Sequence, residues 1–327
     1  MFKTAPSFWL KKPGLCAWLL WPVSWIYALI SSGVYWCRSR GAYRSSAKVI
    51  CIGNVTLGGA GKTPVTEYLY QVLETSGHKV WGVSRGYGGQ EQGPVIVDRA
   101  LHHPMHVGDE PLMMAQLGLN ICIAKDRRQG VQMIETQADY ILLDDGFQNP
   151  YVTKDLSILV FDGVVGIGNG HLFPAGPLRE RVMRAVSRAD AAIIIGKDQT
   201  GLLSQLEPTL TCFKAAIIPD QTVIQAIQRQ KVMAFAGIGR PEKFFEMLRS
   251  HKVNVQKSLS FGDHYVYKKQ DCDLIKHYAE EMTVVTTAKD YVRLPADVQS
   301  CVTVVRIGLE FEKPDAFNAF LKQKGVF

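Results

Sequence analysis

Between residues 48 and 64 the chain reads KVICIGNVTLGGAGKTP, and these residue types suit the holding of phosphate. Gly58, Gly59, Ala60 and Gly61 leave the backbone free to curl, so that N–H groups face phosphate oxygens. Lys62 adds a point charge, and Thr63 brings a hydroxyl that ligates Mg2+ at the start of a helix. The strict form of such a loop has glycine five residues before Gly61, where this chain has Thr56. Thr56, Gly58, Gly59, Ala60, Gly61, Lys62 and Thr63 are the phosphate-loop candidates. A second signal is YILLDDGFQ, an apolar run ending in Asp144-Asp145. Strands often end in Asp at a turn, but an acidic residue at a strand's carboxyl end beside a phosphate loop is placed to hold a divalent cation. His102, His103 and His106 precede Asp109-Glu110 with irregular spacing in a Pro/Gly context, which favours an ordinary loop over a metal site. His264, in FGDHY, reads locally as a structural histidine.

The elements that must position these groups are visible in the apolar pattern. Lys48–Gly53, Lys79–Val83, Ile121–Ala124, Tyr140–Asp144, Leu156–Asp162 and Ala191–Gly196 are continuous rather than alternating, as in strands buried on both faces of a parallel sheet. Helical patterns separate them, including Val65–Thr75 before Gly77 and Pro111–Leu117 before Gly118. The alternation predicts an α/β sandwich with a parallel sheet. A second block starts near Lys231 with VMAFAGIG, continues through helical Pro241–Ser250, VQKSLSF, helical Gln270–Glu281 and VVTTAKD, and ends in VTVVRIG. It predicts a smaller α/β unit, with a boundary within 212–230. The expected division is an arm over 1–44, a phosphate-loop unit over 45–225 and a smaller unit over 226–327.

Charge and hydropathy set the arm apart. The 327 residues carry a net +7, yet no Asp or Glu precedes Glu67, whereas Lys3, Lys11, Lys12, Arg38, Arg40, Arg44, Lys48 and Lys62 do. The remainder is close to electrically balanced, unlike a nucleic-acid binder with a basic face, and no nucleic-acid partner is expected. From Leu15 to Trp36 there is no charge, and Trp9, Trp18, Trp21, Trp25 and Trp36 are five of the six tryptophans. A helix of that length spans a hydrocarbon core of about 30 Å. Pro22, and the stripe Ser24, Ala28, Ser31 and Ser32, suit a helix lying in the interface equally well. A buried core helix is the alternative. Basic residues flank the run on both sides and leave its orientation open. The seven scattered cysteines contain no C-x-x-C, which points to a reducing compartment without a thiolate metal site.

Taken in order, the apolar arm, GNVTLGGAGKTP, Ser84-Arg85-Gly86-Tyr87-Gly88, Val107-Gly108-Asp109-Glu110-Pro111, Asp126-Arg127, Asp144-Asp145-Gly146-Phe147-Gln148, Gly176-Pro177-Leu178-Arg179-Glu180 and Phe261-Gly262-Asp263-His264 form a specific set. The set covers essentially the whole chain and resembles the tetraacyldisaccharide 4′-kinases, which phosphorylate the lipid A precursor in Gram-negative bacteria. The resemblance implies two α/β/α domains with the active site in the cleft between them. It implies ATP with Mg2+ on Lys62 and Thr63, and Asp144 and Asp145 acting around the metal. It also implies Asp109 as base partnered by His264, and Arg127, Arg179 and Glu180 in phosphate handling. The family usually continues DDGFQ with His, often His-Arg; here Asn149-Pro150 follows, so any role of that histidine is absent. The implied substrate is an acylated disaccharide phosphate used at the cytoplasmic face of the inner membrane, with no protein partner implied. Two other readings compete. A P-loop GTPase or metallochaperone-type NTPase would need an N/T-K-x-D, which Gly196-Lys197-Asp198 and Thr287-Ala288-Lys289-Asp290 do not supply. A non-enzymatic membrane anchor leaves the phosphate loop and the Asp pair unexplained.

Overall fold

The continuous apolar runs become strands because each is covered on both sides. In chain order the strands are β1 (Lys48–Gly53), β2 (Val80–Ser84), β3 (Val95–Ile96), β4 (Ile121–Ile123), β5 (Tyr140–Asp144), β6 (Leu156–Asp162) and β7 (Ala191–Ile195). They continue with β8 (Thr211–Pro219), β9 (Lys231–Ala236), β10 (Asn254–Ser260), β11 (Thr283–Thr287), β12 (Val302–Val305) and β13 (Ile307–Phe311). The computed structural model describes residues 6–327, so Lys3 and the first five residues of the arm lie outside it. One sheet has nine strands in the order β13-β8-β7-β6-β1-β5-β2-β4-β3, and a second has four in the order β10-β9-β11-β12. The small sheet is parallel throughout. In the large sheet only the two edge pairs, β3 with β4 and β13 with β8, are antiparallel.

Alternate side chains of one strand enter different cores. Ile50 and Ile52 of β1 pack with Val65, Leu69 and Leu73 of helix Lys62–Thr75, whereas Val49 and Cys51 pack with Val131 and Ile134 of helix Arg127–Ile134. The small sheet repeats the plan. Val232 and Ala234 meet Phe244, Phe245 and Leu248 on one face, and Met233 and Phe235 meet Ile275 and Val298 on the other. Two-sided burial explains why these strands do not alternate in hydropathy. β1 lies between β5 and β6, where the chain's progress across the sheet reverses. In open α/β sheets the crevice at the carboxyl ends of such strands is where ligands bind.

Two features differ from the sequence expectation. The boundary region 212–230 contains most of β8 and all of helix Gln221–Ile227. The segment 226–327 is also shared between both sheets, because β13 returns to pair with β8 from Ile307↔Pro219 to Phe311↔Ala215. Unpaired, the nine-residue β8 would present a long open edge. Phe311 of β13 then stacks on Phe317 of the last helix at 4.2 Å, and Phe213 of β8 meets Phe317 edge-on at 5.0 Å. The excursion that builds the small sheet begins and ends side by side, with Asp220 N donating to Arg306 O at 2.9 Å.

Among its described residues the arm carries a short turn of helix, Ser7–Leu10, and one long helix, Leu15–Ser39, which has Pro22 inside it and only Ala17 and Ser24 buried. Leu19 and Leu29 are each 70% exposed, which excludes a core helix. Ser24, on the polar stripe, is the docking point: its hydroxyl donates to Leu172 O at 2.9 Å and accepts from Ala175 N at 3.1 Å. Arg181 and Arg188 lie over the Trp25 and Tyr35 rings at 4.6 and 4.5 Å. Trp9 differs from the other arm tryptophans in being buried, its indole N–H donating to Pro174 O at 3.1 Å.

Candidate active site

The loop between β1 and helix Lys62–Thr75 is braced from within. Buried Asn54 donates through Nδ2 to Thr56 O at 2.8 Å and Thr56 Oγ1 at 3.3 Å, and its Oδ1 accepts from Lys62 Nζ at 3.2 Å. Gly61 turns into the helix at φ +86°, and a Cβ there would lie 2.5 Å from Ile195 Cδ1, so only glycine fits. The helix starts at Lys62, three residues earlier than its hydropathy suggests; Pro64 is tolerated because it lies in the first turn, where N–H groups have no intrahelical partner. Thr56, the departure from the strict pattern, bridges to Leu178. Leu57 N donates to Pro177 O at 2.8 Å, and Arg179 N donates to Val55 O at 2.7 Å. The Gly176–Glu180 segment therefore runs along the loop and delivers Arg179 and Glu180 to it.

β5 pairs with β1 and brings Asp144-Asp145 to the same end of the sheet. A left-handed turn at Asp145, φ +51°, sets its carboxylate against two cations. Arg179 Nη1 donates to Oδ1 at 2.9 Å and Oδ2 at 3.0 Å, and Lys62 Nζ stands 3.5 Å from Oδ1. Burial pushes Asp145 up, but Lys62 and Arg179 outweigh it and hold the carboxyl below its usual range. Asp144 is the reverse case. Burial, reinforced by the negative charge of Glu110, raises it to about 6 despite Lys62. Its Oδ1 is buried without a hydrogen-bond partner. Arg127, itself buried, donates through Nη2 to Asp144 O at 3.2 Å and Asp145 O at 3.4 Å. The Nε atoms of Arg127 and Arg179 are buried and unpaired. Glu180 is tied into this group by Gln148, whose Nε2 reaches Glu180 Oε1 at 3.1 Å and Asn54 O at 2.8 Å, and by an ion pair with Arg188.

A second cluster joins the two sheets. Gly108, φ +90°, precedes helix Asp109–Gln116 and approaches the SRGYG loop so closely that a Cβ would lie 2.5 Å from Tyr87 O. Asp109, at the first helical position, is buried, and its Oδ2 lies 2.8 Å from His264 Nδ1. Arg293 donates to the same oxygen through Nε at 2.8 Å and also through Nη2. Burial works against ionisation of Asp109, but the hydrogen bond from His264 and the Arg293 charge hold it well below the usual carboxylate range. His264 is raised, first by its hydrogen bond to Asp109. The Tyr87 ring faces the imidazole at 5.6 Å. Glu110 pairs with Lys289 and, through its effect on Asp144, links this cluster electrostatically to the first.

The resemblance extends over nearly the whole chain. The sequence profile of the tetraacyldisaccharide-1-P 4′-kinases matches residues 16–325. The chain belongs to this family. It is 41% identical over 319 residues to a tetraacyldisaccharide 4′-kinase of Gluconobacter oxydans, covering 96% of each chain. It is 43% identical over 319 residues to that of Methylobacterium nodulans, covering 95% of this chain and 93% of the relative. Its fold is similar to a crystal structure of LpxK from Aquifex aeolicus in complex with ATP, with a TM-score of 0.76 and 24% identity, over 95% of this chain and 99% of that one.

Within this 4′-kinase fold the residues singled out from sequence gather into two groups, one around Lys62 and one around Asp109. His102, His103 and His106 do not take part: His102 Nδ1 accepts from Asp98 N at 2.9 Å as a turn cap. Among the described residues no group of three His, Cys, Asp or Glu side chains is arranged to hold a metal. Asn149, where the family usually has His, accepts through Oδ1 from Tyr151 N at 2.9 Å and stabilises the following turn. Arg293, Lys289 and Asn54 were not evident from the sequence. Lys289 and Asp290 stand in Thr287-Ala288-Lys289-Asp290, which lacks the spacing of a guanine-binding motif, and Arg293 follows it without any motif of its own.

Proposed function

We propose that this protein transfers the γ-phosphate of ATP to the 4′-hydroxyl of a tetraacylated disaccharide 1-phosphate at the cytoplasmic face of the inner membrane. The observation that carries the reading is the buried, unpartnered Asp144 Oδ1 beside a lysine-bearing phosphate loop, in a chain of the 4′-kinase family. Mg2+ demands few protein ligands and keeps phosphate and water oxygens. Asp144 and Thr63 would hold it, and the ion supplies neutralisation of charge on the transferred phosphate. Asp145 instead ties Lys62 and Arg179 together and so fixes their positions. The unpaired Nε atoms of Arg127 and Arg179 are donors left for phosphate oxygens. Thr56, Gly58, Gly59, Ala60 and Gly61 shape the loop whose backbone N–H groups cradle the nucleotide. Glu180 acts through Gln148 and Arg188 as a brace.

Asp109 orients the sugar hydroxyl and receives its proton, with His264 setting its charge. A carboxylate held below its usual range by His264 and Arg293 is a weak base. Phosphoryl transfer through a loose transition state asks more for orientation than for basicity, so the weakness is compatible with the role. The exposed apolar side of helix Leu15–Ser39 would seat the enzyme in the bilayer surface, where an acylated substrate resides. The direct test is transfer of γ-32P from ATP to the monophosphorylated acylated disaccharide in mixed micelles. Folded protein that gives no labelled product, or that works only with GTP, refutes the proposal.

A further inference from the structure

Arg293 lies on the small-sheet side of the Asp109 cluster and is as deeply buried as Asp109 itself, each side chain being 6% exposed. It is held there independently of Asp109. Its Nη1 donates to Gly237 O at 2.8 Å and to Asp290 Oδ1 at 3.2 Å. Asp290, fully buried, is fixed in turn by Gly237 N at 2.8 Å, by the Tyr267 hydroxyl at 2.7 Å and by the Thr287 hydroxyl at 2.6 Å. The guanidinium is thus set into a frame belonging to the small sheet, and only its Nε and Nη2 reach out to Asp109 Oδ2. The Arg293 guanidinium and the His264 imidazole therefore share one carboxylate oxygen.

We propose that Arg293 is a positioning residue for the Asp109–His264 pair: it fixes the Asp109 carboxylate from the small-sheet side and, by taking a share of Oδ2, limits how tightly that carboxylate binds the His264 proton. The proposal rests on the role given to Asp109 above. In an Asp–His pair the carboxylate favours the charged imidazole, and the stronger that attraction the harder the imidazole proton is to remove. With Arg293 offsetting the Asp109 charge, His264 exchanges its proton closer to neutral pH. The other groups around the imidazole are Asp263, 3.9 Å from Nε2, and the Tyr87 ring; around Asp109 they are Glu110 and Lys289. Asp109 and Asp263 strengthen proton binding by His264, whereas burial and Arg293 weaken it, so removing Arg293 leaves burial alone opposing the two carboxylates.

The experiment is a histidine NMR titration of the full chain in detergent micelles, with the His264 signal assigned from a His264→Gln spectrum. It is paired with kinase assays of Arg293→Gln and Arg293→Lys. In Arg293→Gln, His264 should titrate about one pH unit higher than in the wild type, a differential interaction of about 1.4 kcal/mol. Its kcat should fall tenfold or more with the KM for ATP unchanged. Arg293→Lys keeps the charge but loses the two-pronged grip, so His264 should titrate within about 0.3 unit of wild type while kcat still falls several-fold. If Arg293→Gln does not fold, Arg293→Lys alone decides the positioning role, and a wild-type kcat overturns it. An unchanged His264 titration in folded Arg293→Gln overturns the proposal outright. The titration needs no substrate, so it remains readable if the wild-type protein fails the lipid-kinase assay, an outcome that counts against the proposed function instead.

Discussion

Replacing Asp144 with asparagine should stabilise the protein while abolishing its chemistry. The carboxylate is buried, one oxygen is unpaired, and burial raises it to about 6 from an ordinary value of 3.8. The sign follows from the direction of the shift. A carboxyl that gives up its proton more readily in the unfolded chain penalises the folded state as pH rises from the unfolded towards the folded value, and the penalty is complete above the latter. Roughly two pH units correspond to about 3 kcal/mol at pH 8, falling to about 1 kcal/mol at pH 4.5. Asparagine keeps the shape and removes the charge. For a chain of this size the gain should raise Tm by roughly 5 °C at pH 8 and much less at pH 4.5. The assay is thermal unfolding followed by near-ultraviolet circular dichroism in detergent micelles without nucleotide. Adding Mg2+ and ATP should then narrow the difference, because the ligand stabilises the form able to hold the cation. Phosphoryl transfer by Asp144→Asn should drop by about 10²-fold or more. An Asp144→Asn protein no more stable than wild type at pH 8, or one whose advantage persists unchanged at pH 4.5, refutes the reasoning.

Lys62→Ala and Asp109→Ala should each lower kcat by about 10²-fold or more with the fold intact by circular dichroism, and a near-normal kcat in folded Asp109→Ala removes it from the chemistry. His264→Ala should lower kcat with little change in the KM for ATP. Combined with Asp109→Ala it should cost far less than the product of the two single losses, and fully multiplicative losses in kcat/KM count against a shared role. Deleting residues 1–44 should release the protein from membranes and impair use of the lipid more than ATP binding; a truncated protein that still pellets with vesicles and keeps full lipid-kinase activity contradicts the part given to the arm. Ser24→Val leaves Leu172 O and Ala175 N without their partner, which should destabilise the docked helix by about 1–3 kcal/mol and appear as faster proteolysis near residues 167–180.

Much of the large sheet was legible because two-sided burial forces continuous apolar runs, as in β1, β5 and β6. The phosphate loop was legible because a tight turn and a phosphate cradle both demand glycine at close spacing. β8 and β13 were not, since as edge partners they alternate or mix polar and apolar residues, and their pairing links positions about 90 residues apart in the chain. His264 carries no local mark of function. Its significance lies in contact with Asp109, 155 positions away, and resemblance pointed there where local sequence did not. Arg293 was missed for the same reason: a lone arginine after a helix turn is ordinary until Asp290 and Asp109 are seen on either side of it.

The paired entry and exit of the small sheet have a mechanical and an engineering meaning. Both connecting segments meet at one place, where Asp220 and Arg306 are hydrogen-bonded, so the excursion has one covalent pin, its other ties being side-chain contacts such as Arg240 and Lys243 with Asp162. Rotation about that pin would carry His264, Lys289 and Arg293 away from Asp109 and Glu110, while Lys62, Asp144, Asp145 and Arg179, all on the large-sheet side, keep their mutual distances. It also makes the excursion removable. A short loop from Pro219 to Ile307 would close the nine-stranded sheet with β13 still covering β8, leaving a minimal nucleotide-binding unit that lacks every partner of Asp109 supplied by the small sheet.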